Sequence, residues 1–216
     1  MIKSEIRSLI LNLLPKYDEH AEFHPRFLDA LIEKVLAEFY NMVFLRSPLE
    51  LERYTKQFGY TAAIPLVLEA ATGLYYATYP TGISIIPIPD KASGVRRVST
   101  PTQGGTGFYP MDAREMDLIM SGSYADTVTS KIGYVPRRTR IEFYNPTIAV
   151  IASGVRLDLL IPFSNYLDSD TVLVPEITNQ EGKGFTDRML EVLSIIRPVD
   201  LLENKNFEEV KQGGQR

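Results

Sequence analysis

Apolar positions along the chain follow two different spacings. Ile2, Ile6, Leu9, Ile10 and Leu13 recur at helical intervals, with Lys3, Glu5, Ser8 and Asn12 between them, and Pro15 ends the run. A polar linker, Lys16 to Glu22, separates this helix from a second one that starts at Pro25, a favoured first helical position. The second helix carries Phe27, Leu28, Leu31, Ile32, Val35, Leu36, Phe39 and Tyr40 to about Leu45. Its stripe is two residues wide, enough for its own core or for a helix shared with a neighbouring subunit. Ser47-Pro48-Leu49-Glu50 has the form of a capping box and predicts a short helical turn, followed by a strand near Tyr54 to Phe58 and a stop at Gly59.

From there the spacing becomes that of strands. Ile64 to Glu69 and Leu74 to Tyr79 flank Ala70-Ala71-Thr72-Gly73 and predict a β-hairpin. Ile83 to Pro89 is extended with edge character, because its prolines cannot donate to a ladder. Val95 to Val98, Ile132 to Val135, Arg140 to Tyr144, Ile148 to Ile151 and Val155 to Phe163 read as further strands, and Asp170 to Pro175 as a short extended piece. Asp112 to Met120 is a short helix. Ser99 to Tyr109, rich in Gly and Thr, is a long loop of the functional or ordering-on-assembly kind. Helical spacing returns at Phe185, Met189, Leu190, Leu193 and Ile196, and Pro198 stops it. Helices, then strands, then a helix predict an α+β fold in which an N-terminal helical pair and a C-terminal helix pack with a mainly antiparallel β region. The expected domain is 1–203, with a helical region over 1–46, a β-rich region over 47–183 and a closing helix over 184–203, and then a loose tail, 204–216.

Composition narrows the chemistry. The chain of 216 residues has no Cys, which removes disulfides, thiolate metal sites and thiol nucleophiles. Its two histidines, His20 and His24, stand as His-x-Glu-x-His, not as the zincin His-Glu-x-x-His, and Pro25 disfavours helical backbone at His24. Gln180 to Thr186 lacks the Walker spacing, and Gln103 to Gly107 is not a Gly-x-Gly-x-x-Gly turn. No nucleophile elbow occurs. The carboxylates Asp168 and Asp170 sit in a polar turn. No catalytic, cofactor-binding or metal-binding residue is assigned, and the expectation is that the chain is not an enzyme. A small hydrolase or sugar-active enzyme using Asp/Glu pairs such as Asp168 and Asp170 is one competing view.

The formal net charge is −4, unlike the basic balance of dedicated nucleic-acid binders. The basic clusters are Arg96-Arg97 and Arg137-Arg138-x-Arg140. Arg138 and Arg140, with Glu142, are expected on one exposed sheet face, solvated or interfacial. No stretch of 18 apolar residues is present, and the N-terminus has neither an apolar h-region nor a cleavage site, so neither a membrane span nor a secretory signal is expected. Aromatic residues on loops, Phe108, Tyr109 and Tyr124, are candidate interface anchors or core residues.

Three passages taken together resemble a known family. They are Arg46-Ser47-Pro48-Leu49-Glu50-Leu51-Glu52-Arg53-Tyr54 after the helical pair, the hairpin Ala70 to Pro80 with the later Ile-Pro-Asp-Lys-Ala-Ser-Gly-Val-Arg-Arg, and Leu157 to Phe163 followed by Ser169 to Glu176 and a closing helix. This order is similar to that of the head–tail adaptor, or ring, proteins of tailed bacteriophages, and looks closest to those of short-tailed, crAss-like phages. The resemblance implies a structural virion protein made in the bacterial host cytoplasm. It implies a homo-oligomeric ring of twelve copies between portal protein and tail, with other ring or tail proteins docking below and genome DNA touched only in passing. It also implies that the segment after Leu202 docks to the portal. The alternative is a monomeric β-rich binding module for a glycan or host factor.

Overall fold

The computed structural model describes residues 1–13, 25–102, 105, 107–120, 132–176 and 182–193. The linker 16–22, both histidines, Tyr124, Gln103-Gly104 and the tail 204–216 lie outside the described residues. The chain divides into two compact units, Met1–Met42 with Asp168–Arg216, and Val43–Leu167.

The first unit is built on helices. Helix α1, Lys3–Leu13, and helix α2, Pro25–Arg46, occupy the ranges that their apolar spacing predicts. Ile6, Ile10, Leu28, Leu31, Ile32, Val35, Leu36 and Phe39 are buried. The closing helix, called α5 below, is described over 185–193. It packs on α2 through Phe185 and Phe39, whose rings meet edge to face at 6.2 Å, a favourable orientation of two ring quadrupoles. An ion pair from Arg188 to Glu38 at 3.3 Å lies beside that contact. The extended piece near Asp170 runs along the chain start, where the Lys3 N–H donates to Asp170 O at 2.9 Å and the Val172 N–H to Met1 O at 2.8 Å.

The second unit holds both sheets. Its strands are β1 Lys56–Phe58, β2 Val67–Glu69, β3 Leu74–Thr78, β4 Val95–Ser99, β5 Tyr109–Pro110, β6 Gly133–Pro136, β7 Arg140–Tyr144 and β8 Arg156–Leu159. A three-stranded sheet has the order β1-β8-β4, and a five-stranded sheet the order β2-β3-β7-β6-β5. All pairs are antiparallel except β5 with β6. The α+β class with mostly antiparallel sheets is therefore as expected. Period-2 alternation explains the burial. Leu157 and Leu159 face the core of the small sheet, while Ile141 and Phe143 share one face of the large one. On its other face Val135 packs against Met111, just before helix α3 (Ala113–Met120), and Met116 within it. The Tyr134 hydroxyl donates to Val95 O at 3.3 Å and so links the two sheets.

Three local expectations are corrected. Ile148 to Ile151 is helical, within helix α4, Ile148–Ser153, and is not a strand. The Thr147 hydroxyl accepts from the Val150 N–H, and Gly154, at φ 77°, ends the helix where a Cβ would meet Ile64 O at 2.6 Å. A cap and a tertiary stop here override the β preference of Ile and Val. Ser47 makes no side-chain cap bond: Pro48–Tyr54 is a 3-10 helix, and the Glu50 N–H is taken by Ser47 O at 3.0 Å. The reciprocal box forms instead at α3, where the Glu115 N–H donates to Asp112 Oδ1 at 2.8 Å and the Asp112 N–H to Glu115 Oε2 at 3.0 Å. Arg138 does not share the face of Arg140 and Glu142, because it lies in the turn after β6, and Glu142 is buried, not solvated.

Candidate functional site

Two polar constellations sit on the sheets of the second unit. On the large sheet, β7 alternation puts Arg140 and Glu142 on one face, and register puts Tyr76 opposite Glu142. The Arg140 guanidinium donates to Glu69 at 2.7 and 3.0 Å and to Glu142 at 2.7 and 3.1 Å, and it stands 4.8 Å from the Tyr76 ring centre. Arg137 Nε donates to the other oxygen of Glu142 at 2.8 Å. Burial pushes the Glu142 carboxyl up, but hydrogen bonds from Arg137 and Arg140 outweigh it and leave the group below its ordinary value.

On the small sheet, Arg156 and Asp158 alternate on the face of β8 opposite the buried leucines, and Asp158 pairs in register with Gln57 and Arg97. The Tyr60 hydroxyl donates to Asp158 Oδ1 at 3.2 Å. Both arginines reach past the carboxylate: Arg156 donates to Thr102 O at 3.3 Å and lies 4.2 Å from the Tyr60 ring centre, while Arg97 donates to Gly105 O at 3.4 Å. Burial therefore dominates and raises the Asp158 carboxyl, with the Tyr60 hydroxyl and the arginine charges only partly opposing it. The two arginines tie the stretch after β4 back to this face. The adjacent Arg96 turns the other way, to Asp90 Oδ2 at 2.5 Å and Pro48 O at 3.3 Å.

The acidic residues of the polar turn, Asp168 and Asp170, lie against the chain start. Asp168 Oδ1 accepts from Arg7 at 2.7 Å, and Arg7 also forks onto Asp29 at 2.5 and 2.6 Å. Burial pushes the Asp29 carboxyl up, yet the Arg7 bond and the Lys3 and Arg7 charges hold it below its usual value. Asp168 and Asp170 thus serve the docking of the chain start. Lys183, from the Gly-rich stretch, pairs with Glu191 at 3.0 Å. Among the described residues no group of His, Asp and Glu is placed to hold a metal ion, and no helix is long and apolar enough to cross a membrane.

The aromatic loop pair divides. Phe108 is 9% exposed and meets Phe143 edge to face at 6.1 Å, whereas Tyr109 is 55% exposed. The outer strand β2 is an open sheet edge. Among the described residues it pairs on one side only, with β3, and its Val67 and Leu68 are 46% and 52% exposed. Leu45, Leu49 and Ile148 are also exposed. Sequence reading placed the hairpin but not the exposure of Val67 and Leu68, which as neighbours in a strand point to opposite faces, because alternation marks which residues share a face and not which face meets water. Compared with family models, curated proteins and solved structures, the chain matches none.

Proposed function

We propose that this chain is a structural virion protein, a head–tail adaptor whose copies form a ring between portal and tail, with DNA passing through. The observation that carries this reading is the one-sided β2 edge with Val67 and Leu68 in water. The N–H and C=O groups on the open side of a sheet edge can pair with another chain, here along a strand of three residues that ends in Glu69. A head-to-tail contact repeated around a closed ring would cover it in every copy. The three sequence passages similar to head–tail adaptors support the same role, and a net charge of −4 suits a lumen that must let DNA move. The chain works by contact and not by turnover in this reading.

The test is assembly. The full chain, alone and mixed with a candidate portal protein, is followed by sedimentation velocity and negative-stain microscopy, and purified particles are searched for its peptides by mass spectrometry. Rings with the portal and peptides in particles are expected. A chain that stays monomeric beside the portal and is missing from particles overturns the proposal.

A further inference from the structure

A cleft of about 660 Å³ opens in the second unit between the extended stretch 79–87 and the 136–139 turn that joins β6 to β7. That volume is in the range of ligand-binding clefts. Its walls are apolar at Ile83, Ile85, Pro87 and Pro136, and cationic at Arg137 and Arg138. None of its lining residues is acidic. Arg137 is held in place through Nε by Glu142. Arg138 is exposed and makes no hydrogen bond or ion pair among the described residues.

The extended wall is fixed before any ligand arrives. Asn165 Oδ1 accepts from the Ser84 N–H at 3.1 Å and the Ser84 hydroxyl at 2.9 Å, and Asn165 Nδ2 donates to Gly82 O at 3.0 Å. The Ile83 N–H donates to Pro80 O at 3.0 Å and the Ile86 N–H to Leu160 O at 2.8 Å. Between them, the N–H and C=O of Ile85 meet no protein partner among the described residues. A pre-fixed wall lowers the ordering cost of binding. Open main-chain groups beside apolar side chains suit an extended peptide, which supplies complementary N–H and C=O groups. Tyr79 lines the cleft but is buried, its hydroxyl donating to Arg137 O at 3.1 Å, so no exposed ring is offered for stacking on a sugar or base.

From this we infer that the 79–87/136–139 cleft binds an extended acidic peptide segment of a partner protein, its main chain beside Ile85 and a carboxylate on Arg138. The inference goes beyond the ring reading and does not depend on it.

The full chain is titrated by fluorescence anisotropy with a labelled eight-residue peptide alternating Glu and Val, its Gln/Val counterpart, and a single-stranded oligonucleotide of equal charge. The acidic peptide should bind about tenfold more tightly than the Gln version, and Arg138→Glu should weaken it about tenfold. Arg138→Gln should fall between, and Arg138→Lys should retain most of the binding. Because Arg138 is exposed and makes no hydrogen bond or ion pair among the described residues, thermal melts of these variants should match the parent. A photo-crosslinking version of the peptide should label residues 79–87 or 136–139. Equal affinity for both peptides, indifference to Arg138→Glu in a folded variant, labelling elsewhere, or binding of the oligonucleotide in place of the peptide each overturns the inference. Ring assembly is read separately by sedimentation, so failure of one leaves the other standing.

Discussion

Glu142 on the large sheet and Asp158 on the small one are each 7% exposed, Asp158 being the more deeply embedded, and their carboxyl groups shift in opposite directions. Glu142 receives Arg137 and Arg140 directly, while Asp158 receives one tyrosine hydroxyl at 3.2 Å as its neighbouring arginines turn to loop carbonyls. Burial raises both carboxyl groups, and only direct charged donors reverse the shift. Whether a buried acid stabilises its sheet depends on its depth together with the charged donors that reach it.

The strongest challenge to this contrast is Glu142→Leu against Asp158→Leu. The first removes a partner shared by Arg137 and Arg140, but Arg140 keeps Glu69 and Arg137 reaches water, so it should cost about 1–2 kcal/mol in urea unfolding, while the second removes a poorly compensated carboxylate and should cost under about 1 kcal/mol. The reverse order would break the comparison.

Acid titration sharpens it further. The Glu142 carboxyl is held below its ordinary value of 4.5, so its contribution is present above that pH and is lost as pH falls through the lower folded value. The Asp158 carboxyl is held above its ordinary value of 3.8, so its folded form keeps its proton longer, and stability declines as pH rises from there through the higher folded value. Asp158→Asn should remove that decline, and Glu142→Gln should flatten the acid-side loss. Urea midpoints taken between about pH 3 and 6 read both effects.

A smaller effect is expected at Arg156→Met, which removes the guanidinium from the Tyr60 ring and from Thr102 O. About 1 kcal/mol should be lost, with faster limited proteolysis in the stretch after β4. The smallest change in stability belongs to the large-sheet edge, where Val67→Lys with Leu68→Lys should shift the monomer's unfolding by less than about 1 kcal/mol. On the ring proposal the same pair should abolish assembly in sedimentation. Rings formed by this variant would remove the β2 edge as the contact.

Much of the fold was legible wherever one signal was long. Helices α1 and α2 follow from many turns of consistent apolar spacing, and the β2–β3 and β6–β7 hairpins from apolar runs broken by turn residues. Short segments were not. Ile148, Val150 and Ile151 read as a strand because their side chains are β-branched, and a single capping threonine with a glycine stop made them a helix. Ser47 and Asp112 each stand three residues before a glutamate, yet only Asp112 closes the reciprocal cap, since the chain at Ser47 tightens into a 3-10 turn. The carboxylate contrast had only a faint signal, one Asp flanked by Leu157 and Leu159 in a strand. Nothing in that alternation says that Arg97 and Arg156 will reach past it.

By itself the sequence determined the class of the fold, the order of its longer elements and the absence of thiol chemistry, because periodicity and residue inventory are local properties. Only the tertiary structure decided which acids received an arginine, which face of each strand met water, and that residues 79–87 and 136–139 enclose a cleft. Those outcomes depend on side chains brought together across tens of residues, where competing hydrogen bonds, and not local preference, set the arrangement.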